Sequence, residues 1–400
     1  MSLQLPFSGL RILDISQGIA GPYCTQILWQ QGASVIKVEP PEGDWGRNVG
    51  VVRNGHSALS VSYNAGKQGL CLDARPEAGK QLLRRLALQA DVVVQNFRPG
   101  VAERLGVGYA ALADLKPDLV YVSISGYGSD GPYAQAPGSD SVMQADTGLM
   151  FANQDASQTP RRIGMLLADI STALYAAQQL AAALYQRLAR GRGTHIEISL
   201  FEACAALQIN DIAAFTLANG RPSGAVSAPN GVFSTANGQL SVIALNNDQF
   251  ARLCRALDRP DWLTDERFQS NEKRMAQRDF LHAEMASQLA TADSEIWEAR
   301  LREHDVLHAP VRDYASVAAH PQTEHLGMLQ SIDQPGVGAL RLPGLPGASG
   351  RRPMQAAPGI GQHSTEVLAA AGLDVAEIAA LLDSGVVRQA AAASTSEVQA

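Results

Sequence analysis

Cysteine is scarce in this chain: four in 400 residues, Cys24, Cys71, Cys204 and Cys254. They stand far apart, with no C-x-x-C pair and no zinc spacing. A disulfide-stapled secreted scaffold and a structural zinc module are thereby excluded, and four thiols in a reduced cytoplasmic protein are the plain reading. Positive charge is also short. Thirty-two Lys and Arg against 39 Asp and Glu leave a net charge of −7. The field of such a molecule repels phosphate backbones, which argues against a nucleic-acid or anionic-membrane partner. Any phosphate ligand must therefore meet a local basic cluster. No long hydrophobic run is present either. The most apolar stretch, Leu166 to Leu188, is interrupted by Asp169, Gln178, Gln179, Gln186 and Arg187, too polar to span a bilayer. The opening residues, Met1 to Pro6, lack the basic and apolar segments of a signal peptide. A soluble, cytoplasmic enzyme-sized protein of roughly two or three domains is expected.

What the sequence does have is alternation. Arg11–Ile15, Ser34–Val38, Gly69–Asp73, Asp91–Asn96, Leu119–Ile124 and Thr194–Ser199 read as strands, separated by helical stretches. Strands alternating with helices imply a parallel sheet covered on both faces, an α/β, Rossmann-like fold. A helix from about Leu166 to Arg190 follows a long loop from Gly126 to Gly138 and a helical stretch from Asp140 to Met150. Its apolar residues Leu166, Ile170, Leu174, Ala177, Ala181, Leu184 and Leu188 recur at spacings of four and three, which predicts the buried face. Phe201 to Ala218 reads as one further helix. After Gly220 the texture changes: Phe233–Val242 carries an Asn-Gly hairpin signal and charged helices follow. The division expected is a large domain over 1–200, a linker over 201–225 and a small α+β domain over 226–315. Residues 316–387 return to the large domain, and 388–400 form a disordered tail.

Three features suggest chemistry. The turn after the first strand, Gly18-x-x-Gly21, with Glu39 about twenty residues on, has the outline of a dinucleotide site but lacks the full G-x-G-x-x-G pattern. Small residues there also serve tight strand–helix packing. Asp169 falls in the first turn of its helix, roughly 75° from the centre of the apolar stripe. From spacing alone a cap or dipole partner is the commoner role for such a residue. Lys37, Arg75, Arg98 and Arg104 fall at or just beyond strand ends, where ligands bind in open α/β sheets. The histidines add nothing comparable, since His195 lies inside a strand pattern.

Taken in order, several blocks make the chain resemble the class III CoA-transferases, the family of formyl-CoA transferase and the carnitine-related CoA-transferases. They are Gly9-Leu10-Arg11-Ile12-Leu13-Asp14, Ala20-Gly21-Pro22, Gly32-Ala33-Ser34-Val35-Ile36-Lys37-Val38-Glu39-Pro40, Asn96-Phe97-Arg98-Pro99-Gly100, Ser125-Gly126-Tyr127-Gly128, Pro137-Gly138-Ser139-Asp140, Asp169 and Gly191-Arg192-Gly193. The resemblance implies that CoA moves from an acyl-CoA donor to a carboxylic acid acceptor, with Asp169 as the nucleophile. It would form an aspartyl anhydride and then an aspartyl–CoA thioester, two easier steps in place of one hard exchange. An aspartate suits this because it is ordinarily ionised at neutral pH, at about 3.9.

Ile19 and Ala20 would lie along the CoA, Leu72 and Arg75 near its adenine and 3′-phosphate, and Asn96, Phe97, Arg98 and Arg104 near the nucleotide. Tyr127, Ser139, Asp140, Met143, Gln144 and the Asn230–Asn237 region would form the substrate wall. The resemblance further implies an interlocked, ring-through-ring homodimer, a CoA thioester as substrate, and no tightly bound cofactor or metal. The sequence departs from one family member by carrying Ile19 and Pro40 where that member has glutamine and arginine. An α-methylacyl-CoA racemase on the same fold is the alternative, and Ser139 stands where racemases carry a histidine.

Overall fold

The computed structural model describes residues 5–155, 157–220, 226–347 and 350–390. They form two compact units: one holds the chain up to Ile209 and again from Gly327, the other runs from Asn210 to Leu326. Residues 221–225 of the expected linker and 391–400 of the expected tail lie outside the described residues.

The larger unit is built on a seven-stranded sheet. Its order is Val387–Arg388, Gln68–Leu72, Ser34–Glu39, Arg11–Asp14, Val92–Gln95, Val120–Ser125 and Thr194–Ser199. The last six are mutually parallel and run 3-2-1-4-5-6 in chain order, the doubly wound arrangement. Val387–Arg388 adds an antiparallel edge beside Cys71 and Leu72. Arg388–Ala390, assigned by the sequence to the tail, are therefore anchored; the Ala390 N–H donates to Gly361 O at 3.2 Å. Strand interiors such as Val92-Val93-Val94 and Val120-Tyr121-Val122 are almost wholly buried, as a sheet covered on both faces requires. A separate hairpin, Leu329–Gln334 with Gly338–Pro343, forms in sequence that the Gly- and Pro-rich composition gave no reason to read as strand.

The Leu167–Arg190 helix corrects the expected face. Its buried residues are Ala168, Ser171, Thr172, Ala173, Ala176, Ala177, Leu180, Ala183 and Leu184, while Leu174 and Leu188 are 49% and 87% exposed. The helix packs closely on the Ala20–Gln30 helix, and small side chains permit that approach where a leucine stripe would not. Asp169 shares a face with Thr172, Ala173 and Ala176, at spacings of three, four and seven. It thus heads the buried stripe instead of sitting at its edge.

Two expected helices are each broken. Asp140–Asp146 and Leu149–Ala152 part at Gly148, whose φ is +87°. Leu200–Leu207 is followed by Ile209–Leu217 after a 63° bend. Among the described residues no single helix is long and apolar enough to cross a membrane. The smaller unit holds a three-stranded antiparallel sheet, Leu307–Pro310, Gln239–Ile243 and Asn230–Ser234. Helices cover it around a core that includes Phe233, Phe250, Trp262, Phe268 and Trp297.

Candidate active site

The turn that follows the first strand is fixed by buried ion pairs. Asp14, at that strand's end, accepts from Lys67 Nζ at 2.9 Å and Thr25 Oγ1 at 2.6 Å, and from the Ser16 hydroxyl. Lys37 Nζ meets Asp44 at 2.9 Å and also donates to the Ser16 carbonyl. Arg47 forms a two-pronged pair with Glu39, both contacts 2.7 Å. All six charged side chains are buried. Burial pushes against the Asp14 charge, but Lys67, Lys37 and the Ser16 and Thr25 hydroxyls hold its carboxyl at about 2. Asp44 also accepts from the Gly18 and Gly46 N–H groups at 2.9 and 2.8 Å. At Gly18 the backbone is left-handed, φ +76°, and a Cβ would fall 2.0 Å from the Trp45 ring, so only glycine seats this turn.

These contacts correct two expectations. Lys37 is not a phosphate-binding cation at a strand end, because its ammonium is buried between Asp44 and Ser16. Glu39 is not free for a ribose, because Arg47 takes both its oxygens. The signal available in the sequence was charge inside strands that must be buried, since a fully buried Lys or Glu calls for an opposite charge. The partners Asp44, Arg47 and Lys67 lie in turns and could not be chosen by periodicity.

Beside the turn, at the carboxyl ends of the strands, lies a cleft of about 170 Å³ lined by Ile15, Gln17, Leu72, Arg75, Phe97 and Leu105 among others. Its lining follows the ends of Arg11–Asp14, Ser34–Glu39, Gln68–Leu72 and Val92–Gln95, beside the point where the strand order reverses, the usual ligand position in such sheets. Leu72, Arg75 and Phe97 are thus brought together. Arg75 is exposed and holds Asp73 in a paired contact at 2.8 Å. Asn96 borders the cleft and clamps the turn: its Oδ1 accepts from Gln17 N at 2.8 Å and its Nδ2 donates to Gln17 O at 2.7 Å. Ile19 and Ala20 are 4% and 2% exposed, so only their backbone can face a ligand. Arg98 and Arg104 are exposed and lie outside the cleft lining.

Asp169 is half-buried in the first turn of its helix. The cap role is taken by another residue. Asp140, 4% exposed, accepts from the Ala168 N–H at 2.8 Å and from Gln144 Nε2 at 2.7 Å. Gln144 is fully buried; its Nε2 also donates to Met165 O at 3.1 Å and its Oε1 accepts from Ile163 N at 2.9 Å. Asp140 and Gln144 therefore brace the segment leading into the Asp169 helix, which occupies the polar atoms expected to line a substrate wall. Met143 is buried with them. Ser139 precedes Asp140 with an exposed side chain that makes no capping bond. Tyr127 donates to Asp146 at 2.8 Å. The Asn230–Asn237 segment belongs to the smaller unit, where Asn237 ties its turn to Ser294 and Glu295.

Among the described residues the Asp169 carboxylate accepts no hydrogen bond and pairs with no cation. Burial, and then the Asp140 charge, push it up to about 7. An aspartate ionised without help is the expectation from sequence; here burial and the Asp140 charge both work against its ionised form. Tyr63, on the Ala58–Asn64 helix, stacks at a tilt on Tyr23, ring centres 5.1 Å apart. Burial, Tyr23 and the Asp169 charge raise its phenol to about 12. Neither tyrosine was singled out by the sequence. Among the described residues no group of three or more His, Cys, Asp or Glu is placed to hold a metal ion.

Comparison with known proteins identifies the family. The model of CoA-transferase family III fits residues 7–364. Human succinyl-CoA:glutarate CoA-transferase is 31% identical, over 96% of this chain and 90% of its own length. Acetyl-CoA:oxalate CoA-transferase of Acetobacter aceti is 32% identical, over 85% of this chain and 88% of its own. The crystal structure of a CAIB/BAIF family protein from Brucella suis superimposes with a TM-score of 0.83 at 32% identity, covering 92% of this chain and all of that one. The chain belongs to CoA-transferase family III and is a transferase enzyme.

Proposed function

We propose that this enzyme carries CoA from an acyl-CoA to a small dicarboxylate, using Asp169 as the covalent acceptor. The observation that carries the reading is the isolation of that carboxylate: unpaired, accessible, fixed at a helix start, while the buried acids around it are all bonded. One Asp169 oxygen attacks the thioester carbonyl carbon, the C–S bond breaks, and an aspartyl anhydride and CoA thiolate result. The thiolate then attacks the aspartyl carbonyl, releasing the donor acid and leaving an aspartyl–CoA thioester. An acceptor carboxylate reverses the two steps. Holding the reactants in place can supply roughly 7–11 kcal/mol of the barrier, which offsets the weak nucleophilicity of a carboxylate.

The nucleotide of CoA is assigned to the switch-point cleft, with Leu72, Phe97 and Arg75 at its wall and the clamped Gln17–Ala20 turn along the chain of the ligand. Arg98 and Arg104 are reserved for its phosphates, where a planar guanidinium gives paired charge-assisted bonds. Arg162 supports a dicarboxylate acceptor. It is exposed, lies 3.5 Å from Ser141 Oγ beside the Asp140 cap, and makes no ion pair among the described residues. A cation there offsets the Asp140 charge for a second substrate carboxylate. The relatives named for glutarate and oxalate act on such acids.

A homodimer belongs to the same proposal. Tyr185 and Leu188 of the larger unit are each more than three-quarters exposed, and so is Leu217 of the smaller; apolar side chains of this kind are what a second copy would cover. Four buried free thiols are in keeping with a cytoplasmic setting. The racemase alternative is disfavoured by Ser139, whose hydroxyl is a poor base for a reaction that needs an acid–base group on each face of the carbon.

The test is intact-protein mass spectrometry of the enzyme mixed with a panel of short acyl-CoAs and quenched with hydroxylamine. A hydroxamate at Asp169, absent in Asp169→Asn, is expected, with transfer lost by about 10⁴-fold or more in the variant. Deuterium uptake at the acyl α-carbon in heavy water, with no adduct, would instead establish the racemase.

A further inference from the structure

Two further polar groups, Tyr63 and Tyr23, are left unused by the fold among the described residues. The Ala58–Asn64 helix, which carries Tyr63, is fastened at both ends. Ser57 caps it in a reciprocal box with Ser60 and donates to the Gly46 carbonyl at 2.5 Å. At the far end Asn64 donates to Ser60 O at 3.1 Å and accepts from Lys67 at 3.0 Å. Lys67 in turn donates to the carbonyl of Pro22, the residue before Tyr23, at 2.9 Å. The two tyrosines are thus held on a rigid frame whose own polar groups are satisfied. Their rings touch, both are half-buried, and among the described residues neither phenol oxygen has a hydrogen-bond partner. The Ala20–Gln30 helix that carries Tyr23 packs on both the Ala58–Asn64 and the Asp169 helices, and Tyr63 lies within electrostatic reach of the Asp169 carboxylate.

A half-buried phenol without a partner among the described residues, within electrostatic reach of an equally unpartnered carboxylate, is a donor free for an acceptor. Building on the assignment of Asp169 as covalent acceptor, we propose that Tyr63 is a catalytic hydrogen-bond donor to the reacting carbonyl oxygen, with Tyr23 holding its ring in place. When Asp169 attacks, the C–O bond forms and the carbonyl π electrons move onto oxygen; Tyr63 O–H donates to that oxyanion. When the C–S bond breaks the electrons return to the carbonyl, and the phenol keeps its proton throughout. A phenol with a raised pKa stays protonated for this task over the whole working range. A donor aimed at an oxyanion acts on the transition state more than on the bound substrate.

The experiment is rapid-quench measurement of hydroxamate formation at Asp169 in Tyr63→Phe, with Tyr23→Phe beside it. Tyr63→Phe keeps the ring contact and removes only the donor. The expected result is an adduct rate about 100-fold lower, with the donor's KM changed less than about threefold and an unchanged melting temperature. An adduct rate at the wild-type level overturns the assignment, and so does a raised KM with kcat intact, which would make Tyr63 a binding residue only. A fluorinated tyrosine placed at position 63 is the second probe: its stronger donor should raise the rate, and a slower rate at equal stability would contradict the role. Absence of any Asp169 hydroxamate in the wild-type enzyme is a different failure, because it removes the covalent reading itself.

Discussion

Asp14 and Asp169 are the same residue type, the first fully buried and the second half-buried, yet the deeper one keeps its charge the more easily. Asp14 is surrounded by Lys67, Lys37 and two hydroxyls, and its carboxyl stays at about 2 despite burial. Asp169 has only the Asp140 charge nearby, which adds to burial, and its carboxyl rises to about 7. The first arrangement spends its charge on holding the Gly18 turn and the base of the cleft. The second leaves a charge uncompensated, which a stable fold does not need and a nucleophile does. Partnering, more than residue identity or depth, separates the scaffold acids from the reactive one.

The comparison can be broken most forcefully at the scaffold. Lys67→Met leaves Asp14 buried without its nearest cation and should cost about 3–5 kcal/mol, read as a lower urea midpoint. The double change Asp14→Leu with Lys67→Met should lose less than the single one, because no orphan charge remains. Equal losses would mean that the pair is not the source of the stability.

Asp169→Asn should do the reverse. A carboxyl raised in the folded state costs nothing while both states are protonated, below its ordinary value of 3.8. The cost grows as pH rises from there and is complete above about 7. The variant should therefore melt higher than the wild type at pH 8 and level with it near pH 4.

A smaller, sharper test is Asp140→Asn, which removes the neighbouring charge while keeping an oxygen for the Ala168 N–H. In the wild type, kcat/KM for the acyl-CoA should rise with pH and level off near 7, where the free enzyme's Asp169 ionises. In the variant that inflection should move to lower pH, with a stability loss of about 1 kcal/mol.

Much of this was readable beforehand, and the limits have physical causes. Alternation of apolar strands and helices specifies a parallel sheet covered on both faces, but not the order of its strands, which long-range pairing decides. Asp169 could be placed in a first helical turn by counting. The face it heads could not, because close helix packing selects Ala168, Thr172 and Ala176 over the leucines that a wheel favours. The edge strand at Val387 and the hairpin from Leu329 depend on partners far away in sequence. The pairing of Lys37 with Asp44 and of Glu39 with Arg47 depends on where turns bring charges together. Whether a group is left without a partner, the property that singles out Asp169, Tyr63 and Tyr23, exists only in three dimensions.

The central claim is tested most directly by a carboxyl-carbon NMR titration of the ligand-free enzyme labelled at its aspartates, with Asp169→Asn to assign the signal. Asp169 should titrate near 7 while Asp14 remains ionised down to about 2. An Asp169 signal that titrates near the ordinary aspartate value of 3.8 would contradict it.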